Sequence, residues 1–176
     1  MPSDRFDHSL RVAKCAMELA IHYTLDQEKA KIAAILHDCS RYLDREGMVK
    51  QAEAFGIKLS EIERFEPKLI HADLSAEIAK REYGVQDPEI LKAIAEHTLG
   101  SDEMSELSKI VYLADHIESD RDYQGVEKVR GLAFKALDQA IALSTGFMIQ
   151  HLLDNNLPIA LQTVKTRNRY LKGGSK

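Results

Sequence analysis

Apolar residues recur every three or four positions along nearly the whole chain, and this spacing is the period of an α-helix. The longest predicted helix follows an unbroken pattern from Val126 to Leu152. No stretch shows the sustained alternation of apolar and polar residues that marks a half-buried strand. The sequence therefore predicts an all-α fold.

Residues that favour helix ends indicate where the helices begin and stop. Asp26 is a good N-cap, Asp87 is another and is followed by Pro88, and the segment SEIE at 60–63 matches a capping box. Gly84 is a predicted C-cap. We expect helices at about 5–23, 27–37, from 60, 71–83, 88–97, 104–118, from 126 and from 158, with longer connections at about 40–70 and 118–125.

The size of the chain fits one domain with one substantial core, because it has 176 residues. We expect a single globular helical bundle over residues 1–176, with a short basic tail at about 169–176. The net charge of −4 argues against nucleic acid as a partner. No run approaches the roughly 20 apolar residues that span a bilayer, so no membrane segment is expected.

The two cysteines, Cys15 and Cys39, are too few for a disulfide framework. The first residues, MPSDRFDH, contain no apolar stretch of the kind that a signal peptide needs. Both features favour a reduced, cytoplasmic protein.

Imidazole and carboxylate side chains stand at the predicted ends of several helices. Both suit divalent transition metals, and a carboxylate can bridge two ions, as in many phosphate-cleaving enzymes. A single histidine near a helix end is more often a capping or packing residue, and sequence alone does not show that distant residues converge. The candidate ligands are His8, His37, Asp38 and Asp115 for one ion and His71, His97 and the shared Asp38 for another.

Six segments of the chain carry a resemblance to a known family. In order they are RFDHSLRVA, AAILHDCSRY, LIHADLSAEIAKREYGV, AIAEHTLG, KIVYLADHIESDRDYQGVEKVR and TVKTRN. The order of His8, His37-Asp38 and Asp115 resembles the H…HD…D pattern of the HD-domain phosphohydrolases. The six segments together resemble the bacterial YqeK-type HD proteins, the symmetrical bis(5'-nucleosyl)-tetraphosphatases. The similarity covers nearly the whole chain and is most specific in LADHIESDRDYQGVE.

This resemblance implies hydrolysis of diadenosine tetraphosphate to two ADP by a metal-activated water. It implies two divalent metal ions, with iron preferred over manganese or zinc, held by the ligands named above. Asp38, His97 and Arg121 would be catalytic. The implied contacts to the nucleotide are Arg41, Thr98, Arg121, Thr163, Arg167 and Asn168.

The chain departs from the expected family pattern after His71, where Ala72-Asp73 stands in place of an expected glycine. Asp73 adds a carboxylate that either alters the affinity for metal or caps the helix. Cys39, beside Asp38, is either redox-sensitive or, more simply, a small packed residue.

Two other functions stay open at this point. The first is an HD-domain phosphohydrolase that acts on another nucleotide, and the second is a non-catalytic HD module that binds nucleotide or metal. The complete set of candidate ligands argues against the second, since a binding module has no need of two metals. The sequence leaves open whether the chain forms a homodimer.

Overall fold

The computed structural model describes residues 3–171, and it confirms the all-α prediction. No strand occurs within these residues. A 3₁₀ turn, Pro67–Ile70, precedes the fifth helix. The helices are α1 (Ser3–His22), α2 (Gln27–Leu36), α3 (Arg45–Phe55), α4 (Glu61–Phe65), α5 (His71–Arg81), α6 (Pro88–Glu96), α7 (Glu106–Ile117), α8 (Val126–Ala133), α9 (Leu137–Asp154) and α10 (Leu161–Leu171).

The helix starts that the sequence predicted from N-cap residues are present. Asp26 accepts hydrogen bonds from the backbone N–H groups of Glu28 and Lys29, at 2.9 and 3.1 Å, and so begins α2. The capping box of Ser60 and Glu63 begins α4. An aspartate N-cap followed by proline begins α6 in the same way.

The prediction of one long helix from Val126 to Leu152 is wrong, because the structure divides it into α8 and α9. Ala136 leaves the helical conformation, with φ −152° and ψ 81°, and its N–H donates to the carbonyl of Leu132 at 2.8 Å. Ala133 and Leu137 are buried on either side of the break. The apolar period therefore continues across it, and periodicity alone does not reveal where the helix stops.

The stretch from about 40 to 70, predicted as a polar connection with one short helix, also contains α3 and the 3₁₀ turn. Only Met48 and Ala52 of α3 are buried, so its apolar stripe is narrow and easily missed. These side chains pack with Ile70, Leu74 and Ile78 in a small core of their own.

The main core lies between α1, α2, α6, α7, α8 and α9. Helix α7 runs through its middle and is buried on most sides. The buried hydroxyl of Tyr112 on α7 lies 2.9 Å from that of Thr145 on α9, which joins the two helices by a hydrogen bond. None of the helices in the described part of the chain has the length and apolar character that crossing a bilayer requires.

The last helix, α10, packs along α9 and continues to Leu171. The buried Tyr170 anchors it, since its hydroxyl accepts a hydrogen bond from the N–H of Met104 at 3.2 Å. Residues 169–171 of the predicted basic tail are thus helical, and residues 172–176 lie outside the described part of the chain.

We predict that Ile94→Ala destabilises the protein much more than Ile32→Ala. Ile94 is 0% exposed in the main core, whereas Ile32 is 37% exposed. The first change should lower the free energy of unfolding by about 2–5 kcal/mol, and the second by about 1 kcal/mol or less. Urea denaturation of both variants measures the difference. Equal losses would contradict the position of the core.

Candidate metal centre

The six predicted ligand residues come from helix ends and from two helix interiors, and they meet in one cluster. Two of them follow the last turn of α2, one opens α5, one follows α6, and the other two lie within α1 and α7. In chain order the cluster comprises His8, His37, Asp38, His71, His97 and Asp115. Residues that lie up to about a hundred positions apart in the sequence are therefore neighbours in space.

The carboxylate of Asp38 lies between two groups of imidazoles. Its Oδ1 is 3.3 Å from Nε2 of His71 and 3.7 Å from Nε2 of His97. Its Oδ2 is 3.8 Å from Nε2 of His37. One oxygen thus faces each side of the cluster, as a carboxylate that bridges two cations must.

The carboxylate of Asp115 lies on the side of His8 and His37. Its Oδ1 is 3.0 Å from Nε2 of His8 and 3.9 Å from Nε2 of His37. Three combinations of side chains have ligand atoms within 4.8 Å of one another. They are His8–His37–Asp38, His37–His97–Asp115 and Asp38–His71–His97.

Backbone carbonyls left free at helix ends orient the imidazoles. Nδ1 of His37 lies 2.6 Å from the carbonyl of Ala34, and Nδ1 of His97 lies 2.7 Å from that of Ile94. Nδ1 of His71 contacts a carbonyl of the 3₁₀ turn in the same way. A carbonyl only accepts, so in each ring Nδ1–H donates and Nε2 turns its lone pair toward the cluster.

The contact between His71 and His97 has the geometry of two ligands on one cation. Their Nε2 atoms are 3.0 Å apart, and the Thr98 hydroxyl lies 2.9 and 3.0 Å from the same two atoms. Two lone pairs repel at this distance unless a proton or a cation lies between them. Bonds of about 2.1 Å at roughly right angles place two ligand atoms about 3 Å apart.

On the side of the cluster formed by His8 and His37, two buried imidazole nitrogens also have unused hydrogen-bonding capacity. Among the described residues, Nε2 of His8 and Nε2 of His37 are buried without a hydrogen-bond partner. Nε2 of His8 lies 3.0 Å from Oδ1 of Asp115, a distance at which a shared proton or a cation would join the two atoms. Buried polar atoms are rarely left without partners, so this side also fits a bound cation.

The electrostatics keep two of the rings neutral, which is the form that binds metal. Burial lowers the pKa of His37 to about 4, and burial together with the nearby His97 lowers that of His71 to about 3. Burial also lowers the pKa of His97, but the Asp38 carboxylate raises it by more.

The two carboxylates of the cluster are ionised. Burial raises the pKa of Asp38, but the surrounding histidines outweigh it and hold the pKa well below its usual range. For Asp115, contact with His8, His37 and Arg121 likewise outweighs burial and lowers the pKa. A cluster of anionic carboxylates and mostly neutral imidazoles is suited to a divalent metal ion.

Three arginines surround the carboxylates. Nη2 of Arg121 is 2.6 Å from Oδ1 of Asp115, and Nε of Arg41 is 3.9 Å from Oδ2 of Asp38. Arg5, which the sequence reasoning missed as a site residue, has Nη1 3.0 Å from Oδ2 of Asp38. Its position three residues before His8, on the same face of a helix, was the available signal.

Glu118 is a second residue that the sequence reasoning missed. Its Oε1 lies 3.2 Å from Nδ1 of His8, and its Oε2 accepts a hydrogen bond from Nε of Arg11 at 2.9 Å. Glu118 is buried. Its position three residues after Asp115 was the available, weak signal in the sequence. The contact orients the His8 ring, as a carboxylate behind a metal-binding histidine does.

The structure brings only some of the predicted nucleotide-binding residues to the cluster. Arg41, Thr98 and Arg121 are there, as the contacts above show. On α10, Thr163 is buried, Asn168 is exposed, and Arg167 lines a groove between α9 and α10. Within residues 3–171, none of these three forms a hydrogen bond or ion pair with the cluster, so their role stays a prediction.

Asp73 and Cys39 lie beside the cluster without belonging to it. Asp73 lines a separate cavity with Glu63 and Glu96, and it is in none of the metal-binding combinations. Burial raises the pKa of the Cys39 thiol to about 11, and its Sγ donates to the carbonyl of Ser75 at 3.4 Å. Cys39 is therefore a packed thiol at neutral pH.

Comparisons with known proteins agree with this geometry. A sequence profile of the HD domain family matches residues 5–120. The symmetrical bis(5'-nucleosyl)-tetraphosphatase of Halalkalibacterium halodurans is 38% identical over 95% of this chain and 89% of its own. The protein of the same name from Bacillus subtilis is 38% identical over 96% of this chain and 90% of its own.

A solved crystal structure has the same fold over nearly the whole of this chain. It is a crystal structure from Clostridium acetobutylicum, described as a predicted HD superfamily hydrolase involved in NAD metabolism. It superposes with a TM-score of 0.95 and is 33% identical, covering 98% of this chain and 92% of its own. Together with the buried histidine–aspartate cluster, these matches show that the chain belongs to the HD domain family, beside the symmetrical bis(5'-nucleosyl)-tetraphosphatases.

Proposed function

We propose that this protein is a metal-dependent hydrolase that cuts diadenosine tetraphosphate at its centre and releases two ADP. The observation that carries the proposal is the Asp38 carboxylate, one oxygen of which faces His71 and His97 while the other faces His37. Similarity over most of the chain to proteins named symmetrical tetraphosphatases supports the choice of substrate.

Two metal ions are proposed, and the side chains of the cluster form two sets of ligands that share Asp38. One ion would be held by His8, His37, Asp38 and Asp115, and the other by His71, His97 and the shared Asp38. Iron is our first choice, from the family resemblance, and manganese or zinc is the alternative. Ions bound there would lower the pKa of a water and neutralise charge on the phosphoryl group.

The side chains around the cluster bind and orient the substrate in this proposal. The guanidinium groups of Arg5, Arg41 and Arg121 lie within 4 Å of the Asp38 or Asp115 carboxylate. From these positions they would contact the oxygens of a phosphate bound next to the carboxylates. The hydroxyl of Thr98 supplies a further hydrogen-bonding group. Asp38, His97 and Arg121 are the proposed catalytic residues, since all three would touch the metals or the reacting phosphate.

A second candidate is hydrolysis of another phosphoanhydride-linked dinucleotide. It is favoured by the description of the Clostridium acetobutylicum neighbour as involved in NAD metabolism. The same cluster would serve either substrate, because both carry a phosphoanhydride chain between two nucleosides. We further propose a cytoplasmic location, which the two free cysteines support.

Of the predictions made by the proposed function, the first concerns the products. Protein loaded anaerobically with Fe²⁺, and separately with Mn²⁺ or Zn²⁺, should convert diadenosine tetraphosphate to ADP as the sole product, as measured by chromatography. NAD is the parallel substrate that tests the second candidate. ATP with AMP would show an off-centre cut, and no cleavage with any of the metals would contradict the proposed function.

The second prediction concerns Asp38, which faces both sides of the cluster. Asp38→Ala should lose bound metal, measured by mass spectrometry of the purified protein, and its hydrolytic activity should fall to background. Asp73→Ala is the matched control, because Asp73 is close in sequence to His71 but outside the metal-binding combinations. Full turnover by Asp38→Ala would rule out the two-metal arrangement.

The third prediction separates phosphate binding from metal binding. Arg121→Ala should retain its metal, while kcat falls by roughly 10²–10³-fold because a preorganised charge beside the phosphate is lost. Arg81→Ala is the control, since Arg81 pairs with Glu77 on the surface of α5. Normal turnover by Arg121→Ala would remove Arg121 from the mechanism, and loss of metal would make it a support for Asp115 instead.

A further inference from the structure

The turn at 118–121, which follows α7, carries two side chains that contact residues of the cluster. Glu118 contacts His8, and Arg121 contacts the carboxylate of Asp115. Nε of Arg121 also donates to the backbone carbonyl of Asp115 at 2.7 Å. The direction of this long side chain therefore depends on where the turn holds its backbone.

Arg130 of α8 donates hydrogen bonds to three backbone carbonyls of this turn and of the end of α7. Its Nε lies 2.9 Å from the carbonyl oxygen of Ile117. Its Nη2 lies 2.6 Å from that of Glu118 and 2.9 Å from that of Arg121. A helix leaves its last carbonyls without partners, and the guanidinium group supplies donors at this helix end. Because the group is planar and rigid, it fixes the two ends of the turn relative to each other.

Helix α8 gives Arg130 a fixed base. Val129 and Ala133 are 0% exposed and belong to the main core. The Arg130 side chain is 26% exposed, and its Nη1 pairs with Glu127 on the surface of the same helix. The other two nitrogens point inward to the carbonyls, so Arg130 is more than a solvated surface charge.

The side chain of Arg121 is 41% exposed, so it has conformations open to it in which it does not face the cluster. A charge contributes to catalysis when it is already in place before the reaction. The N–H of Arg121 donates to the carbonyl of Glu118 at 3.0 Å and closes the turn. Arg130 holds the carbonyls of both residues and thereby keeps the turn closed while the guanidinium group of Arg121 faces Asp115.

We propose that Arg130 is a positioning residue for the reaction, which touches neither metal nor substrate and acts by holding the Arg121 guanidinium group beside the metal centre. The proposal rests on the proposed function for the role of Arg121 at the phosphate chain. Without Arg130 the turn opens and Arg121 moves into solvent. Glu118 stays beside His8, because Arg11 of α1 holds its carboxylate at 2.9 Å independently of Arg130.

A double-mutant cycle tests the proposal. Arg130→Met keeps a flexible apolar stem and removes every donor, and it is combined with Arg121→Ala. The metal-loaded proteins are compared in kcat for diadenosine tetraphosphate and in binding of inorganic tripolyphosphate, measured by titration calorimetry. With Arg121 present, Arg130→Met should lower kcat and weaken tripolyphosphate binding about tenfold each, with metal content unchanged. In the Arg121→Ala background it should change either value by less than about twofold.

Glu127→Gln is the matched control, because it alters the exposed partner of Arg130 and leaves the three carbonyl contacts in place. It should change neither kcat nor tripolyphosphate binding. Arg130→Lys retains the charge, but one ammonium group does not match the fork of donors that holds three carbonyls. It should show the same dependence on Arg121 with a smaller loss, and it replaces Arg130→Met if that variant does not fold.

Unchanged kcat and tripolyphosphate affinity in the folded Arg130 variants would overturn the proposal. An equal loss with and without Arg121, or a loss of bound metal, would also overturn it, because Arg130 would then support the fold or the ligands in general. Wild-type protein that does not cleave diadenosine tetraphosphate would refute the proposed function. Tripolyphosphate binding that depends on both arginines would still support Arg130 as a positioning residue.

Discussion

The buried carboxylate of Asp38 is the group on which the arrangement of the site depends. At 4% exposure it has lost most of its hydration, so it remains ionised only where opposite charge or hydrogen-bond donors surround it. Arg5 from α1, at 3.0 Å, and Arg41, whose Nε lies 3.9 Å away just beyond α2, supply part of that environment. Stabilising one charge thus requires helices that are distant in sequence to meet at their ends. The same convergence creates a cluster that a divalent cation completes.

Much of the fold was predictable because its signals are local. Caps such as Asp26 mark helix starts within three residues, and the ligands could be recognised by their residue type and their place at helix ends. The break before Leu137 was not predictable, because the buried positions keep the same helical phase on both sides of it. Helix α3 was hidden for the opposite reason, since it buries only Met48 and Ala52 and therefore shows little periodicity.

The residues that support the ligands were harder to predict, because their roles depend on contacts across the fold. Glu118 and Arg5 are charged residues within helices or next to them, and such residues are most often solvated. The hydrogen bond of Glu118 with His8 joins residues 110 positions apart, and the spacing of Glu118 from Asp115 is a weak signal for it because many surface carboxylates share such a spacing. Histidine at a helix end was informative because the free carbonyl that orients its ring is close in sequence. Support from a distant helix has no such local counterpart.

The distance between Asp38 and His71 is set by buried serines rather than by the ligands themselves. The hydroxyl of Ser40 donates to the backbone carbonyl of His71 at 2.9 Å, and Ser75 donates to the Ser40 hydroxyl at 3.0 Å. Both serines are fully buried, so water does not compete for these bonds. The turn that carries Asp38 is thereby fixed to α5 two residues from the carboxylate. The positions of metal ligands must be held to within about 0.5 Å. Asp38 is only two residues from the buried hydrogen bond of Ser40 with His71, so little of the chain between them can move.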